Sequence, residues 1–399
     1  MATVFLLCCV TSCSNGFEAD DSLISKQQYE VKLTFDFGLN ARLTTRAIEE
    51  RALESSDNWQ RVNSMRVYLF RSDTELGSYT YYRPLVAGVA QDYLYVDGFS
   101  GKDADYTTEP FEEHEYLVSN LKLTAGWYKF LAIGRDDING DDNTGSKLNL
   151  DALVEGTTIL ESVTASVAST SLACPEIFVN YDDLVPLHMD GSRDAFYKVI
   201  ELKRAVAGVL MYVENIPSVI GTTDVKSIGI IRRQHTWALT LASPLPAGSA
   251  STSVAAPGAT LVGQVPGAAD YVLRYDLSSA TVVNDYFVDL TPSNSTHPNS
   301  IVRGTFVMPQ EAPTADCTLN LVLCDAGGSV LKAWDVKLVE SNGLAVTPTK
   351  LYPIEANHIY CIGQRNVTDD VDQPIDLGEL PADVIVVHGS WQADVNIEM

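Results

Sequence analysis

The sequence predicts an all-β protein built of packed antiparallel sandwiches, and three observations lead to this prediction. Apolar and polar residues alternate over many short segments that are rich in Val, Ile, Tyr, Phe and Thr. Turn-forming pairs such as Asn139-Gly140 separate these segments. Helical periodicity is scarce, and only residues 47–62 and 148–167 could carry helices. Many short strands separated by dense turn signals are typical of sandwiches.

The length of the chain favours two domains. With 399 residues and 46% hydrophobic content, the protein can bury ordinary cores. The strand pattern is interrupted near residues 185–195, by a segment that contains Pro186 and Gly191. We therefore predict an N-terminal sandwich over residues 47–190 and a C-terminal sandwich over residues 191–399, both of ordinary domain size.

The first residues have the pattern of an export signal. The apolar run from Phe5 to Val10 is far too short to span a bilayer, and it leads into Thr11-Ser12-Cys13. Small residues before a cysteine are what a lipoprotein signal peptidase needs. Residues 1–13 are therefore predicted to be a lipoprotein signal with Cys13 as the lipidated residue. No Lys or Arg precedes the apolar run, which favours a true start upstream of Met1. A plain secretory signal is the alternative to lipidation.

Residues 14–46 are predicted to hold a polar tether and a removable first strand. Residues 29–37 alternate strictly and offer five apolar side chains to one face: Tyr29, Val31, Leu33, Phe35 and Phe37. The polar connection that follows carries a basic site at Arg46-Ala47, with Arg42 and Arg51 as competing sites. Removal of the strand would open a groove with unpaired edges, which another strand should fill.

The last nine residues show the same alternation. They also offer five apolar side chains to one face: Trp391, Ala393, Val395, Ile397 and Met399. Each terminal strand would extend about 30 Å. At roughly 1.5–3 kcal/mol per large buried apolar side chain, either strand contributes on the order of 8–12 kcal/mol as an upper bound. The C-terminal strand is either the ordinary last strand of its own domain or a strand donated to a neighbouring molecule.

No catalytic or metal-binding pattern stands out, and we predict that the protein is not an enzyme and needs no cofactor. The six histidines show no HExxH spacing, and the sequence has no GxSxG, P-loop or GxGxxG motif. Residues 135–143 resemble the first half of a calcium loop, but no Glu closes the set, so an acidic hairpin tip is favoured. The net charge of -25 argues against nucleic acid as a partner.

The cysteines and one aromatic run are two further candidates for chemistry. The cysteines after Cys13 form no CxxC pair, so buried free thiols are favoured, with a disulfide between Cys324 and Cys361 as the alternative. The densest aromatic run is Tyr79, Tyr81 and Tyr82. A strand with one buried aromatic face is the favoured interpretation of this run, and a glycan-binding surface is the alternative.

Six features occur in a fixed order along the chain: Cys13, Thr44-Thr45-Arg46-Ala47, the segments 64–70, 123–134, 201–209 and 352–363, the last leading to Trp391. In this order they resemble the fimbrillins of Bacteroidales, the subunits of type V pili, over essentially the whole chain. The resemblance implies two transthyretin-like β-sandwich domains in tandem and export as a lipidated precursor. It also implies cleavage by an Arg-specific protease, which maps here to the Arg46-Ala47 bond.

In the scheme that this resemblance implies, the first strand leaves and a strand of a neighbouring subunit takes its groove, which polymerises the pilus. The expected partners are other pilus subunits, the protease and, through the lipid of the precursor, the cell outer membrane. The expected role is a structural subunit of a fimbrium that supports adhesion and biofilm formation. Stalk, tip and anchor roles stay open, and so does a host or bacterial surface ligand. A surface glycan-binding lipoprotein is the alternative from a different class.

Overall fold

The computed structural model describes the following residues: 28–36, 64–97, 114–135, 149–150, 152–167, 174–190, 195–232, 234–251, 260–279, 282–283, 299–311, 319–339, 353–363, 374–378 and 384–390. Strands account for most of their regular structure, with two short 3-10 turns at Leu160–Ser162 and Ala268–Asp270. The predicted all-β class is therefore confirmed. In this part of the chain no helix is long and apolar enough to cross a membrane.

The described residues before 205 form fourteen strands. They are β1 (Gln28–Asp36), β2 (Ser64–Ser72), β3 (Thr80–Tyr82), β4 (Leu85–Val86), β5 (Val89–Ala90), β6 (Leu94–Asp97), β7 (His114–Lys122), β8 (Gly126–Arg135), β9 (Asn149–Leu150), β10 (Thr164–Ser166), β11 (Phe178–Val179), β12 (Leu187–Met189), β13 (Ala195–Glu201) and β14 (Lys203–Arg204).

A further fourteen strands follow. They are β15 (Ala207–Glu214), β16 (Val219–Ile220), β17 (Thr223–Asp224), β18 (Ser227–Arg232), β19 (Gln234–Thr240), β20 (Pro246–Ser251), β21 (Tyr271–Asp276), β22 (Val282–Val283), β23 (Ile301–Val307), β24 (Leu319–Cys324), β25 (Val330–Val339), β26 (Ile359–Ile362), β27 (Ile375–Asp376) and β28 (Val384–Ser390).

The first sandwich consists of two sheets that face each other across one apolar core. One sheet has the order β13-β1-β7-β4-β5, and the other has the order β14-β11-β8-β2-β3 with β6 and β12 attached. Successive side chains of a strand point to opposite faces of its sheet. The Met65, Val67 and Leu69 side chains of β2 therefore line this core, whereas Tyr68 and Phe70 on its other face belong to a second core.

The second sandwich is built from one continuous set of paired strands in the order β22-β21-β18-β24-β25-β28-β26-β15-β23, with β27 attached to β15. Residues of β15, β23 and β26 share a core with residues of β18, β21, β24 and β25. The two groups of strands therefore form opposing layers. β28 pairs with β25 in one layer and with β26 in the other, so it joins the layers at one side.

A smaller sheet, in the order β20-β19-β10-β9, connects the two sandwiches. Its strands β9 and β10 come from the first half of the chain, and β19 and β20 come from the second half. Their side chains cover a core that also receives Tyr68 and Phe70 from the first sandwich and Tyr212 and Phe306 from the second. The two sandwiches therefore share buried apolar surface as well as strand pairing.

Several details differ from the sequence-based predictions. Residues 148–167 do not form the predicted helix, because the segment contributes β9, a 3-10 turn and β10 to the connecting sheet. Antiparallel pairing dominates as predicted, but four pairs among the described strands are parallel: β1 with β13, β15 with β26, β15 with β27, and β25 with β28. The other candidate helix, over residues 47–62, lies outside the described residues.

The predicted domain limits, 47–190 and 191–399, remain a prediction that strand pairing helps to refine. β13 pairs with β1 and β14 pairs with β11, so residues 195–204 lie with the first sandwich. β15 begins at Ala207, and its partners among the described strands, β23, β26 and β27, all belong to the second sandwich. We therefore propose residues 205–206 as the point where the chain passes from one sandwich to the other.

Candidate functional site

The first strand, β1, lies in the interior of its sheet between β7 and β13. It runs antiparallel to β7, with pairs from Gln28↔Lys122 to Phe35↔His114. It runs parallel to β13, with pairs from Glu30↔Ala195 to Asp36↔Glu201. Both backbone edges of β1 are therefore paired. Its removal would leave an unpaired edge on each neighbour, which is the kind of edge that another strand can fill.

Two side chains of β1 enter the core of the first sandwich. Val31 and Leu33 are both 0% exposed and belong to the same apolar cluster as Val118 of β7 and Ile200 of β13. At about 1.5–3 kcal/mol per side chain, the pair contributes about 3–6 kcal/mol as an upper estimate. This burial comes in addition to the backbone pairing on both edges. β1 is thus an integral part of the folded protein.

The opposing sheet supplies the floor against which β1 packs. Met65, Val67 and Leu69 of β2 and Phe130 of β8 belong to the same cluster as Val31 and Leu33. Without β1, these side chains would face a groove open to solvent. Because the exposed apolar area would be contiguous, a strand with the same alternation would gain free energy by entering the groove.

β13 forms the outer wall of this groove, and a loop fixes its position. The Lys198 ammonium donates to both carboxylate oxygens of Asp183, at 2.9 and 3.1 Å. The backbone N–H of Glu201 also donates to the Asp183 carboxylate, at 3.3 Å. The loop itself is tied to β8, because the buried Asn180 side chain accepts from Ala132 N–H at 2.8 Å and donates to the Phe130 carbonyl at 2.7 Å.

The chain leaves the groove through a buried junction. Immediately after β13, the Arg204 guanidinium donates to the Glu176 carboxylate at 2.6 Å and lies over the Phe178 ring at 4.6 Å. Both charged side chains are almost fully buried, with 3% and 0% exposure. The next residues are held on two sides, because Ala205 N–H donates to the Ile177 carbonyl and Val206 accepts from Asn357 N–H.

The predicted site residues are described only in part. Tyr29, Val31, Leu33 and Phe35 lie in β1, and the side chains of Val31 and Leu33 are buried, while the removal of this strand stays a prediction. The remaining predicted residues lie outside the described residues and stay predictions. They are the lipidation residue Cys13, the cleavage pair Arg46 and Ala47, the strand residue Phe37, and the C-terminal set Trp391, Ala393, Val395, Ile397 and Met399.

The strand that directly precedes the C-terminal set is part of the second sandwich. β28 is parallel to β25, with pairs from Asp335↔Val384 to Val339↔His388. On its other edge it is antiparallel to β26, through Ile359↔Ser390 and Tyr360↔Gly389. Both edges of β28 are thus occupied by strands of its own chain, in a parallel-plus-antiparallel arrangement like that of β1.

The favoured interpretation of the tyrosine run is confirmed, since Tyr79 and Tyr81 are buried in the core between the sandwiches. Their hydroxyl groups donate to the backbone carbonyls of Glu75 and Asp92, at 2.7 and 2.6 Å. Burial raises the pKa of Tyr81 to about 12, with the Asp92 carboxylate as the second cause. Tyr82 is partly buried against the core of the first sandwich, so the run does not form a cluster of exposed aromatic rings for a glycan.

The remaining chemical candidates give no reacting or metal-binding cluster within the described residues. Cys174 and Cys324 are buried free thiols, as favoured, and the Cys324 thiol lies 3.5 Å from the Tyr271 hydroxyl. No group of three or more His, Cys, Asp or Glu side chains is placed to hold a metal ion in this part of the chain. The segment 135–143, for which an acidic hairpin tip is favoured over a calcium loop, lies outside the described residues after Arg135.

Sequence reasoning missed the second wall of the groove. The apolar pattern of residues 199–213 predicts one strand, but the structure divides this segment among β13, β14 and β15, which pair with three different sets of strands. The polar pair Lys203-Arg204, which interrupts the apolar alternation, was the available signal for this division. The parallel pairing of β1 with β13 left no signal in the sequence.

No family model matches the sequence, and no curated protein matches it. Among solved structures, the chain is similar to the fimbrial anchor protein Mfa2 from Porphyromonas gingivalis, at 10% identity over 90% of this chain and 95% of that chain, with a TM-score of 0.39. It is also similar to the tip fimbrial protein Mfa3 from the same organism. The identity is 11% over 84% of this chain and 93% of that chain, with a TM-score of 0.37.

A third similar structure is a protein from Bacteroides thetaiotaomicron whose name assigns it to polysaccharide binding, at 12% identity over 84% of this chain and 91% of that chain, with a TM-score of 0.41. All three likenesses are distant. The fold assignment therefore rests on the strand pairing and the burial described above.

Proposed function

We propose that the protein is a structural subunit of a surface pilus that is assembled by strand exchange. The observation that supports this proposal best is the position of β1, which is paired on both edges and buries Val31 and Leu33 between two sheets. A strand from another subunit could replace β1 and make the same kinds of contact, namely backbone pairing on both edges and burial of alternate apolar side chains. The fimbrillin-like features of the sequence imply the same assembly.

The maturation steps belong to the same proposal. The precursor is lipidated at Cys13, which holds it at the cell outer membrane, and an Arg-specific protease cuts between Arg46 and Ala47. The cut separates β1 from the chain that begins at Ala47. Because an empty groove exposes apolar surface and two unpaired edges, the cleaved subunit is driven to accept a strand. The protein then becomes part of a fimbrium, in which it supports adhesion and biofilm formation without a catalytic role.

Limited digestion of the purified precursor with an Arg-specific protease tests the cleavage step. We expect a new N-terminus at Ala47, identified by N-terminal sequencing, followed by oligomers in size-exclusion chromatography with light scattering. Arg46→Ala should prevent release of β1, whereas Arg42→Ala and Arg51→Ala serve as matched controls and should leave it unchanged. A cleaved protein that has lost β1, stays monomeric and binds no strand peptide would contradict the proposal.

A position at one end of the pilus, as outer-membrane anchor or tip adhesin, is a second candidate role. The pairing of β28 favours it, because donation of β28 would split the second sandwich between β25 and β26. A donated strand would have to come from residues 391–399 or from beyond them. Deletion of residues 391–399 separates the roles. A stalk subunit should lose self-assembly with unchanged thermal stability, whereas an anchor or tip subunit should show no change in assembly.

A further inference from the structure

β13 depends on β1 in a way that β7 does not. Among the strands that the structure describes, β1 is the only one that pairs with β13, which stands at the end of its sheet. β7, on the other side of β1, is also paired with β4 through Leu85↔Lys122 and Val86↔Leu121. Removal of β1 therefore leaves β7 paired with β4 at Leu121 and Lys122, whereas β13 loses all of the pairing that the described strands give it.

We propose that β13 is a closing strand, which undocks when β1 leaves and docks again over the strand that replaces it. This inference rests on the proposed function and adds a regulatory step to the same groove. An incoming strand first pairs with β7, which is still part of a sheet. β13 then adds its seven-residue parallel register on the outer side and locks the incoming strand in place.

The side-chain contacts of β13 are consistent with a segment that can move. Ile200 is fully buried and Phe196 is partly buried against the core, but the alternate residues Tyr197 and Val199 are 55% and 42% exposed. Only one face of the strand is thus held by apolar packing. Without a neighbouring strand, the backbone N–H and C=O groups of β13 also lose their inter-strand hydrogen bonds. This loss further weakens the docking of β13 on the sandwich.

Different groups hold the middle of β13 and the chain beyond its C-terminal end. The Lys198–Asp183 ion pair fixes the middle of β13 to the loop anchored on β8. Beyond β13, the chain is fixed by the buried Arg204–Glu176 pair and by Lys203, whose ammonium lies 3.0 Å from Asp182. The geometry therefore places the hinge between Glu201 and Lys203, and Lys198 is the side chain that would hold the closed position.

Hydrogen exchange of the full chain in three states tests the proposal directly. The first state is the precursor, with a sequence-specific protease site placed between residues 39 and 46. The second is the cleaved protein after β1 has been removed, and the third is the cleaved protein with a synthetic peptide of residues 28–37. We expect the amides of residues 195–201 to be protected in the first state, exchanging in the second and protected again in the third, while residues 121–122, which keep their pairing with β4, stay protected throughout.

The outcomes separate this inference from the proposed function. Peptide binding that leaves residues 195–201 exchanging, or protection of these amides in the empty protein, would overturn the closing role alone. A peptide that does not bind at all would overturn the proposed function and the closing role with it.

A second measurement does not require the empty protein to remain folded. The cleaved complex carries a fluorescent label on the β1 fragment, and its release is followed during a chase with unlabelled peptide. Lys198→Ala should speed release on the order of tenfold, because a partly buried charged hydrogen bond holds β13 closed. Lys203→Ala is the matched control, since it removes an equally buried lysine just beyond β13, from a pair whose carboxylate, Asp182, is more exposed than Asp183, and it should leave the rate unchanged. Equal rates for Lys198→Ala and the unsubstituted protein would overturn the closing role.

Discussion

Arg204 and Glu176 place two opposite charges in a nearly dry environment where the chain passes between the sandwiches. A buried ion pair is weak evidence for stability, because desolvation offsets most of the attraction. Removal of one partner is nevertheless costly, on the order of 3–5 kcal/mol, since the other charge is then left buried without compensation. At this position the pair fixes the path of the chain from β13 to β15, which makes it important for the geometry of the groove.

His235 is the residue from which we predict a pH dependence of stability. Burial, and then the nearby Arg232 guanidinium, lower its pKa from 6.5 to about 4, and its Nε2 atom is buried without a hydrogen-bond partner among the described residues. Between these pH values the unfolded chain binds more protons than the folded protein, so stability falls as pH drops from about 6.5 towards 4. Urea unfolding across this range should show a shallower fall for His235→Gln than for the unsubstituted protein. Parallel pH profiles would contradict the assignment.

β1 illustrates how an element can be built into a fold and still be exchangeable. Its two buried side chains and its two paired edges are features that any strand with the same alternation can reproduce. Binding in the groove therefore depends more on the apolar–polar alternation of the strand and on its register than on the identity of each residue. A shift of one residue would turn the apolar side chains to the other face of the sheet.

The register of the apolar side chains should decide whether a peptide binds the cleaved protein. A peptide of residues 28–37 should bind, and a peptide of the same composition whose alternation is shifted by one position should bind at least tenfold more weakly, because its apolar side chains would face solvent. Fluorescence anisotropy with labelled peptides measures the two affinities. Equal affinities would show that binding in the groove does not depend on which side chains of the peptide face the core.

At the scale of the whole molecule, the two sandwiches are joined by more than a linker. β10 pairs with β19 in the connecting sheet, and an isolated bridge links Cys174 to Phe306. The core beneath this sheet contains residues from both halves of the chain. Because these contacts are buried and extensive, we expect the described parts of both sandwiches to unfold as one cooperative unit.

The connecting sheet provides a test of this cooperativity. Leu239 of β19 is fully buried in the shared core, so Leu239→Ala should lower stability by about 2–5 kcal/mol in both sandwiches at once. Single-tryptophan variants that retain Trp127 in the first sandwich or Trp334 in the second report each half separately during denaturant unfolding. Leu245→Ala, in an exposed position on the same hairpin, is the control and should change little. Two separate transitions would show that the sandwiches unfold independently.

The sequence by itself determined the all-β class and the first strand, because alternation with period two is a local property that follows from the geometry of a single strand. For the same reason Val31 and Leu33 could be predicted as buried, and Tyr79 and Tyr81 as the inner face of a strand. It did not reveal that β13 is parallel to β1, that residues 199–213 divide among three sets of strands, or that β10 pairs with β19. These pairings join residues that are far apart in the chain. They are made by backbone hydrogen bonds, whose donors and acceptors are the same for almost every residue type, so the strand partners are defined only in the folded chain.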